Sequence, residues 1–169
     1  MKKKAWWIGL LTVSFWLTAC DPGSYQYDYN DLIENVVSIE LINYDNPNQK
    51  SFISWVLPDH SSDLVPFEKS KTTQLEVLNE EKKEDFLKQL SNSDILYLYY
   101  AYDSPKGICI KLTYENGDFE IIWCDYEHKT FAGYIGRYTS EGEVEKFIGS
   151  FSSYDYFKSL VNDYFETNI

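Results

Sequence analysis

Within Asp59-His60-Ser61-Ser62-Asp63, five adjacent residues supply every side-chain type of a serine-nucleophile triad. Working triads converge from separate segments, with the nucleophile on a strained elbow, and no Gly-x-Ser-x-Gly occurs in the chain. The stretch therefore reads as a polar loop. His128, in Asp125-Tyr126-Glu127-His128, falls at the tip of an expected hairpin, where a solvated turn accounts for it better than a two-residue metal site. Asp28-Tyr29-Asn30-Asp31 begins like a calcium loop but lacks its glycine and terminal glutamate, and Gly133 with Gly136 does not make a Gly-x-Gly-x-x-Gly phosphate cradle. With 27 acidic residues, carboxylate pairs arise by number alone and carry no weight as a catalytic dyad. The residues thus assign no catalytic group, no metal ligand and no cofactor, and the expectation is a protein that is not an enzyme.

Two other sets of side chains stand out. Asn116-Gly117 favours a two-residue type I′ turn, in which paired positions sum to 233 and Cys109 lies opposite Cys124. Facing pairs stand about 4.5–5.5 Å apart at Cα, inside the disulfide range, so outside the cytoplasm the two could bond. The alternative is a pair of thiols, and without Cys-x-x-Cys neither reading makes them redox-active. The second set is aromatic. Tyr97, Tyr99, Tyr100 and Tyr102 share one expected strand, with Tyr134 and Tyr138 on a neighbour. Such rows can stack on sugars or anchor a protein partner, or simply cover the core, because tyrosine suits strands.

The elements that must position these residues are legible from period and punctuation. Val36 to Tyr44 alternates, with Val37, Ile39 and Leu41 on one face, and predicts a strand that Asn46-Pro47-Asn48 turns back into a partner at Ser51 to Leu57. Thr73 to Leu78 is another strand, after which Asn79 caps a helix from Glu80 to about Leu90 whose buried stripe is Phe86, Leu87 and Leu90. Ile95 to Tyr102, apolar on both faces, predicts a central strand. The Asn-Gly hairpin puts Ile108, Ile110, Leu112 and Tyr114 on one face with Phe119, Ile121 and Trp123. Phe131 to Thr139 and Val144 to Ile148 form a further hairpin about Glu141-Gly142. Ser152-Ser153-Tyr154-Asp155 then opens a last helix bearing Phe157, Leu160, Val161 and Phe165 at helical spacing. The sum is an α+β domain over residues 31–169, an antiparallel sheet of about five to seven strands packed by two helices.

The N-terminus reads differently. Lys2, Lys3 and Lys4 precede an apolar run of 13 residues, Ala5 to Leu17, followed by Thr18, Ala19 and Cys20. That run is too short to span a bilayer core about 30 Å thick, and small residues occupy a cleavage position, as in an export signal. Leu17-Thr18-Ala19-Cys20 resembles the lipobox of bacterial lipoproteins. The resemblance implies a signal peptide over residues 1–19, a diacylglyceryl thioether on Cys20, and a membrane anchor outside the cytoplasm; two acyl chains detach slowly, each buried methylene being worth about 0.8 kcal/mol. Asp21-Pro22-Gly23-Ser24 and the alternating tyrosines Tyr25, Tyr27 and Tyr29 read as a tether over residues 20–30. The body is similar in texture to the small lipoproteins of low-G+C bacteria.

Charge narrows the partners. Loss of residues 1–19 removes Lys2, Lys3 and Lys4, leaving 12 basic against 27 acidic side chains and a charge of −15. Nucleic acid is excluded, since its phosphates need clustered Lys and Arg, and the chain holds one arginine, Arg137. An acidic face steers basic proteins toward it. The expectation is a lipid-anchored protein-binding domain of inhibitor or immunity type, with an extracellular glycan- or peptide-binding module as the alternative.

Overall fold

The computed structural model describes residues 24–46, 51–52, 65–96, 102–124, 133–151 and 154–167. Cys20, His60, His128, Tyr97, Tyr99 and Tyr100 lie outside them. The architecture is α+β, with an antiparallel sheet and three helices.

The strands are β1 (Ser24–Tyr25), β2 (Val36–Tyr44), β3 (Ser51–Phe52), β4 (Thr72–Val77), β5 (Ile95–Leu96), β6 (Tyr102–Asp103), β7 (Gly107–Tyr114), β8 (Phe119–Trp123), β9 (Gly133–Tyr138) and β10 (Val144–Phe151). The helices are α1 (Tyr29–Asn35), α2 (Glu80–Ser91) and α3 (Tyr154–Tyr164). The main sheet runs β1-β5-β10-β9-β8-β7-β2-β4, and β3 with β6 forms a separate pair. Strands β7 to β10 are a meander, each paired antiparallel with the next in sequence. β2 then lies beside β7, with β4 at its far side.

All three helices cover one face. α2 begins where Asn79 accepts from the Glu81 amide at 3.0 Å, and it buries Phe86, Leu87 and Leu90. α3 buries Phe157, Leu160 and Val161. These side chains meet Ile39, Leu41, Ile110, Leu112, Ile122, Ile135 and Phe151 of the sheet. The opposite face is aromatic: Tyr44, Phe119, Trp123, Tyr134, Tyr138 and Phe147 pack together with Ile42, Cys109, Ile121 and, from the segment before β4, Phe67. Phe119 and Tyr138 stack with centroids 5.5 Å apart. β8 is buried along its whole length, because both of its faces are covered.

Several expectations are corrected here. The β7–β8 ladder pairs Cys109 with Trp123, Ile110 with Ile122 and Leu112 with Glu120, so positions sum to 232. The loop holds three residues, Glu115 to Gly117, closed by Tyr114 N–H to the Asp118 carbonyl at 2.9 Å, with Gly117 at φ 86°. Asn116 selects it, since its side-chain oxygen accepts from the amide of Asp118 at 3.0 Å, two residues on, and a glycine then takes the left-handed place. A slip of one residue moves a whole strand face: Phe119, Ile121 and Trp123 lie with Cys109 and Lys111, away from Ile110 and Leu112. Cys109 and Cys124 do not face each other, and both are buried thiols with no disulfide between them.

The tether expected over residues 20–30 does not extend through its described part, Ser24 to Asn30. Ser24–Tyr25 pairs with Ile95–Leu96, Tyr27 is buried, and Asp28 caps α1, a helix the sequence reading did not include. The partner of β2 is not the segment beginning at Ser51, because Ser51–Phe52 pairs with Tyr102–Asp103. Ile95 to Tyr102 is not one central strand either, since its described ends belong to two sheets and β5 is next to last in its own. Val37 is 46% exposed, because a bulge between Val36 and Ser38 turns it away from the face of Ile39 and Leu41.

Candidate functional site

The slip that separates the cysteines also creates the most charged spot in the interior. Glu120, opposite Leu112, points into the helix-covered core and is 1% exposed. Its carboxylate accepts a hydrogen bond from the Tyr27 hydroxyl at 2.5 Å and another from Tyr114. From the next strand, directly opposite in the ladder, Arg137 brings Nη1 to 3.7 Å of the carboxylate. The guanidinium lies over the Tyr114 ring at 4.5 Å and sets Nε 3.2 Å from Glu145 on β10. That last contact is an ion pair without hydrogen-bond alignment, since Nε is buried with no partner of suitable geometry. β1, β7, β8 and β9, or the residues just beyond them, thus converge on one carboxylate, and β10 joins the cluster through the contact of Glu145 with Arg137.

Burial pushes the Glu120 carboxyl upward, outweighing the hydrogen bond from Tyr27, the charge of Arg137 and the hydrogen bond from Tyr114, all of which pull it down. Burial also raises Tyr27 and Tyr114, and the negative charge of Glu120 raises both further. For Arg137, burial alone would lower the value; the charges of Glu120, Tyr114 and Glu145 outweigh it and hold the guanidinium above its ordinary range. The cluster is a clasp between the N-terminal segment and the sheet. An open cleft of about 530 Å³ above it is lined by Asp31, Asn35, Tyr114, Glu115, Asn116 and Arg137, and Glu120 does not reach it. A nucleophile, base or acid must touch its substrate, and the buried carboxylate has no such access. Among the described residues no group of three His, Cys, Asp or Glu converges as a metal site.

The outer surface of the helical layer is the other chemically distinct region. α1 and its cap carry Asp28, Asp31 and Glu34 without a lysine or arginine. α2 sets Glu80, Glu81, Glu84 and Asp85 against Lys82, Lys83 and Lys88. α3 adds Asp155 and Asp163 against Lys158, and Glu166 follows. The helices are tied side by side through tyrosine hydroxyls: Tyr29 donates to Glu84 at 3.1 Å and Tyr164 to Asp85 at 2.8 Å. Neutral donors hold these carboxylates in place and leave their charge uncancelled. Burial, then the bond to Asp85, raises the Tyr164 phenol, so it stays a donor.

The aromatic candidates divide. Tyr134 and Tyr138 are 4% and 0% exposed in the aromatic core, so those two are core rings and no binding platform. The backbone of Tyr102 lies in β6 opposite Phe52, not beside β9. Asp28, considered for calcium, instead caps α1 by accepting from the Asn30 amide at 2.9 Å. Glu120, Tyr27 and Tyr114 were not legible as a cluster. The one signal pointing to them was Arg137, the sole arginine, in a strand whose neighbour carries a lone acid among apolar residues.

No family model matches the chain, and neither a curated protein nor a solved structure matches it. Among the described residues no helix is long and apolar enough to cross a membrane.

Proposed function

We propose that the chain is a lipid-anchored extracytoplasmic protein, held to the membrane through Cys20, whose acidic helical layer binds a basic protein as an inhibitor or immunity protein would, without catalysis of its own. The observation that carries this reading is the helical layer, where ten carboxylates on α1, α2, α3 and their flanks stand against four lysines. Such a field raises the encounter rate with a cationic surface and repels anionic ones. Fixing Glu84 and Asp85 with tyrosine hydroxyls reduces the entropy lost when a partner docks. Lipobox, short tether and acidic body together suit a protein that waits at the membrane surface for a soluble partner.

The test is capture from detergent extracts at low and high salt. A partner retained at about 0.05 M salt and released at about 0.5 M is expected, since exposed charges are screened beyond a few ångströms at the higher value. Capture that ignores salt, or no partner at all, overturns the binding reading. A Cys20→Ala variant that sediments with membranes as well as the parent does overturns the anchor.

A further inference from the structure

β4 closes the sheet beyond β2, and among the described residues no strand pairs with its outer side. The Leu78 amide donates to Ile39 at 2.8 Å and the Asp45 amide to Lys71 at 2.9 Å. Hydrogen-bonded and non-bonded pairs alternate in an antiparallel ladder, so these two bonds fix which residues face outward. Val77, opposite Glu40, turns its own N–H and carbonyl away from β2, as does Gln74 on the far side of the bulge; Thr72 turns out its carbonyl, while its N–H donates to the Lys69 carbonyl. The side chains agree: Leu75 and Val77 are 43% and 49% exposed. Beside them runs a cleft of about 550 Å³ lined by Leu75, Glu76, Val77, Lys82, Tyr164 and Glu166.

We propose that this edge receives an extended, Lys- or Arg-bearing strand of the partner protein, which adds to the sheet next to β4. The inference rests on the binding function above and names its surface and mode. Main-chain pairing supplies affinity, and the alternate side chains of the added strand meet Leu75 and Val77. Charge chooses the occupant. Two copies of a mature chain of −15 repel one another, which disfavours edge-to-edge self-pairing. Glu76 is held at the edge by the Glu166 amide at 2.9 Å, and its charge is left for an incoming cation. Lys82, the basic group of the cleft, is spent on the Tyr164 carbonyl at 3.0 Å. The bulge between Leu41 and Ile42 of the ladder splits the edge, so the added strand pairs at Gln74, with the Thr72 carbonyl beside it, and again at Val77.

The experiment uses the detergent-solubilised lipidated protein and a short fluorescent peptide of alternating valine and lysine, with a valine–glutamate peptide as its counterpart. The basic peptide binds and the acidic one does not. N-methylation of the backbone amides on one alternate set weakens binding about tenfold and methylation of the other set does not, as the loss of one or two hydrogen bonds predicts. Val77→Pro, which removes an outward N–H and no bond to β2, has the same effect, whereas Val37→Thr does not. Equal affinity for both methylated sets, or wild-type affinity in a folded Val77→Pro, overturns the proposal. If the basic peptide fails while salt-sensitive capture of a basic protein persists, the edge is wrong and the acidic surface stands. Loss of that capture sinks the function itself.

Discussion

Glu120 makes stability depend on pH in a direction opposite to that of an ordinary surface carboxylate. In the unfolded chain it titrates near pH 4.3, and burial raises that value in the fold. The folded state then holds the proton more tightly. The group's contribution is fully present below about pH 4.3 and is lost as pH rises through the raised folded value. Urea titrations across pH 4 to 8 should show Glu120→Gln gaining on wild type as pH rises through that window; parallel curves would remove Glu120 as the source. Tyr27→Phe takes a donor from the buried carboxylate at 2.5 Å, which should cost about 1–3 kcal/mol. That donor favours the charged form, so its loss should also extend the window to higher pH.

At the level of elements, local signals were readable and distant ones were not. The Asn79 cap, the stripe Phe86, Leu87 and Leu90, and the spacing of Phe157, Leu160 and Val161 are contained within single helices, and the structure has them where the periodicity predicts. The β7–β8 register instead turned on whether Asn116 would serve the turn with its backbone or its side chain, and one hydrogen bond to the Asp118 amide moved every pair by one. The partner of β2 depended on pairings across the chain that alternation cannot rank. This register makes a chemical prediction: in a Cys20→Ala variant kept free of reductant, denaturation should expose two alkylatable thiols, and the native protein none, because Cys109 and Cys124 are both buried. A mass short by both additions would mean that they had bonded. The hairpin glycines rank as well. Gly142 has φ 91°, and a Cβ there would lie 2.3 Å from the Phe67 carbonyl oxygen, whereas at Gly117 it would meet only Ser140 Cβ at 3.3 Å. Gly142→Ala should lose more than the ~1–3 kcal/mol of a left-handed alanine, and Gly117→Ala should stay within it, as thermal melts of the two would show.

For the whole molecule, the lipoprotein reading combined with the position of β1 limits how the body would stand on a membrane. Under the lipoprotein reading, four residue steps separate Cys20 from Ser24, a reach of about 14 Å at full extension. β1 is therefore held near the bilayer. β1 and β4 are opposite ends of an eight-stranded sheet, and seven strand spacings of about 4.8 Å put roughly 34 Å between them. On the same reading, a mature chain of charge −15 would be repelled by anionic headgroups, and with one edge tethered the repulsion would turn the other edge outward. The strand edge proposed for docking then faces the soluble phase from which a partner arrives. Exposed Asp94, just before β5, and exposed Thr73, in β4, report the two ends. A donor dye on Asp94→Cys should be quenched more by a headgroup acceptor in vesicles than the same dye on Thr73→Cys, and buried Cys109 and Cys124 leave the new thiol the one that reacts. Equal quenching at both positions would mean that the sheet lies flat on the membrane, with β4 no more open to a soluble partner than β1.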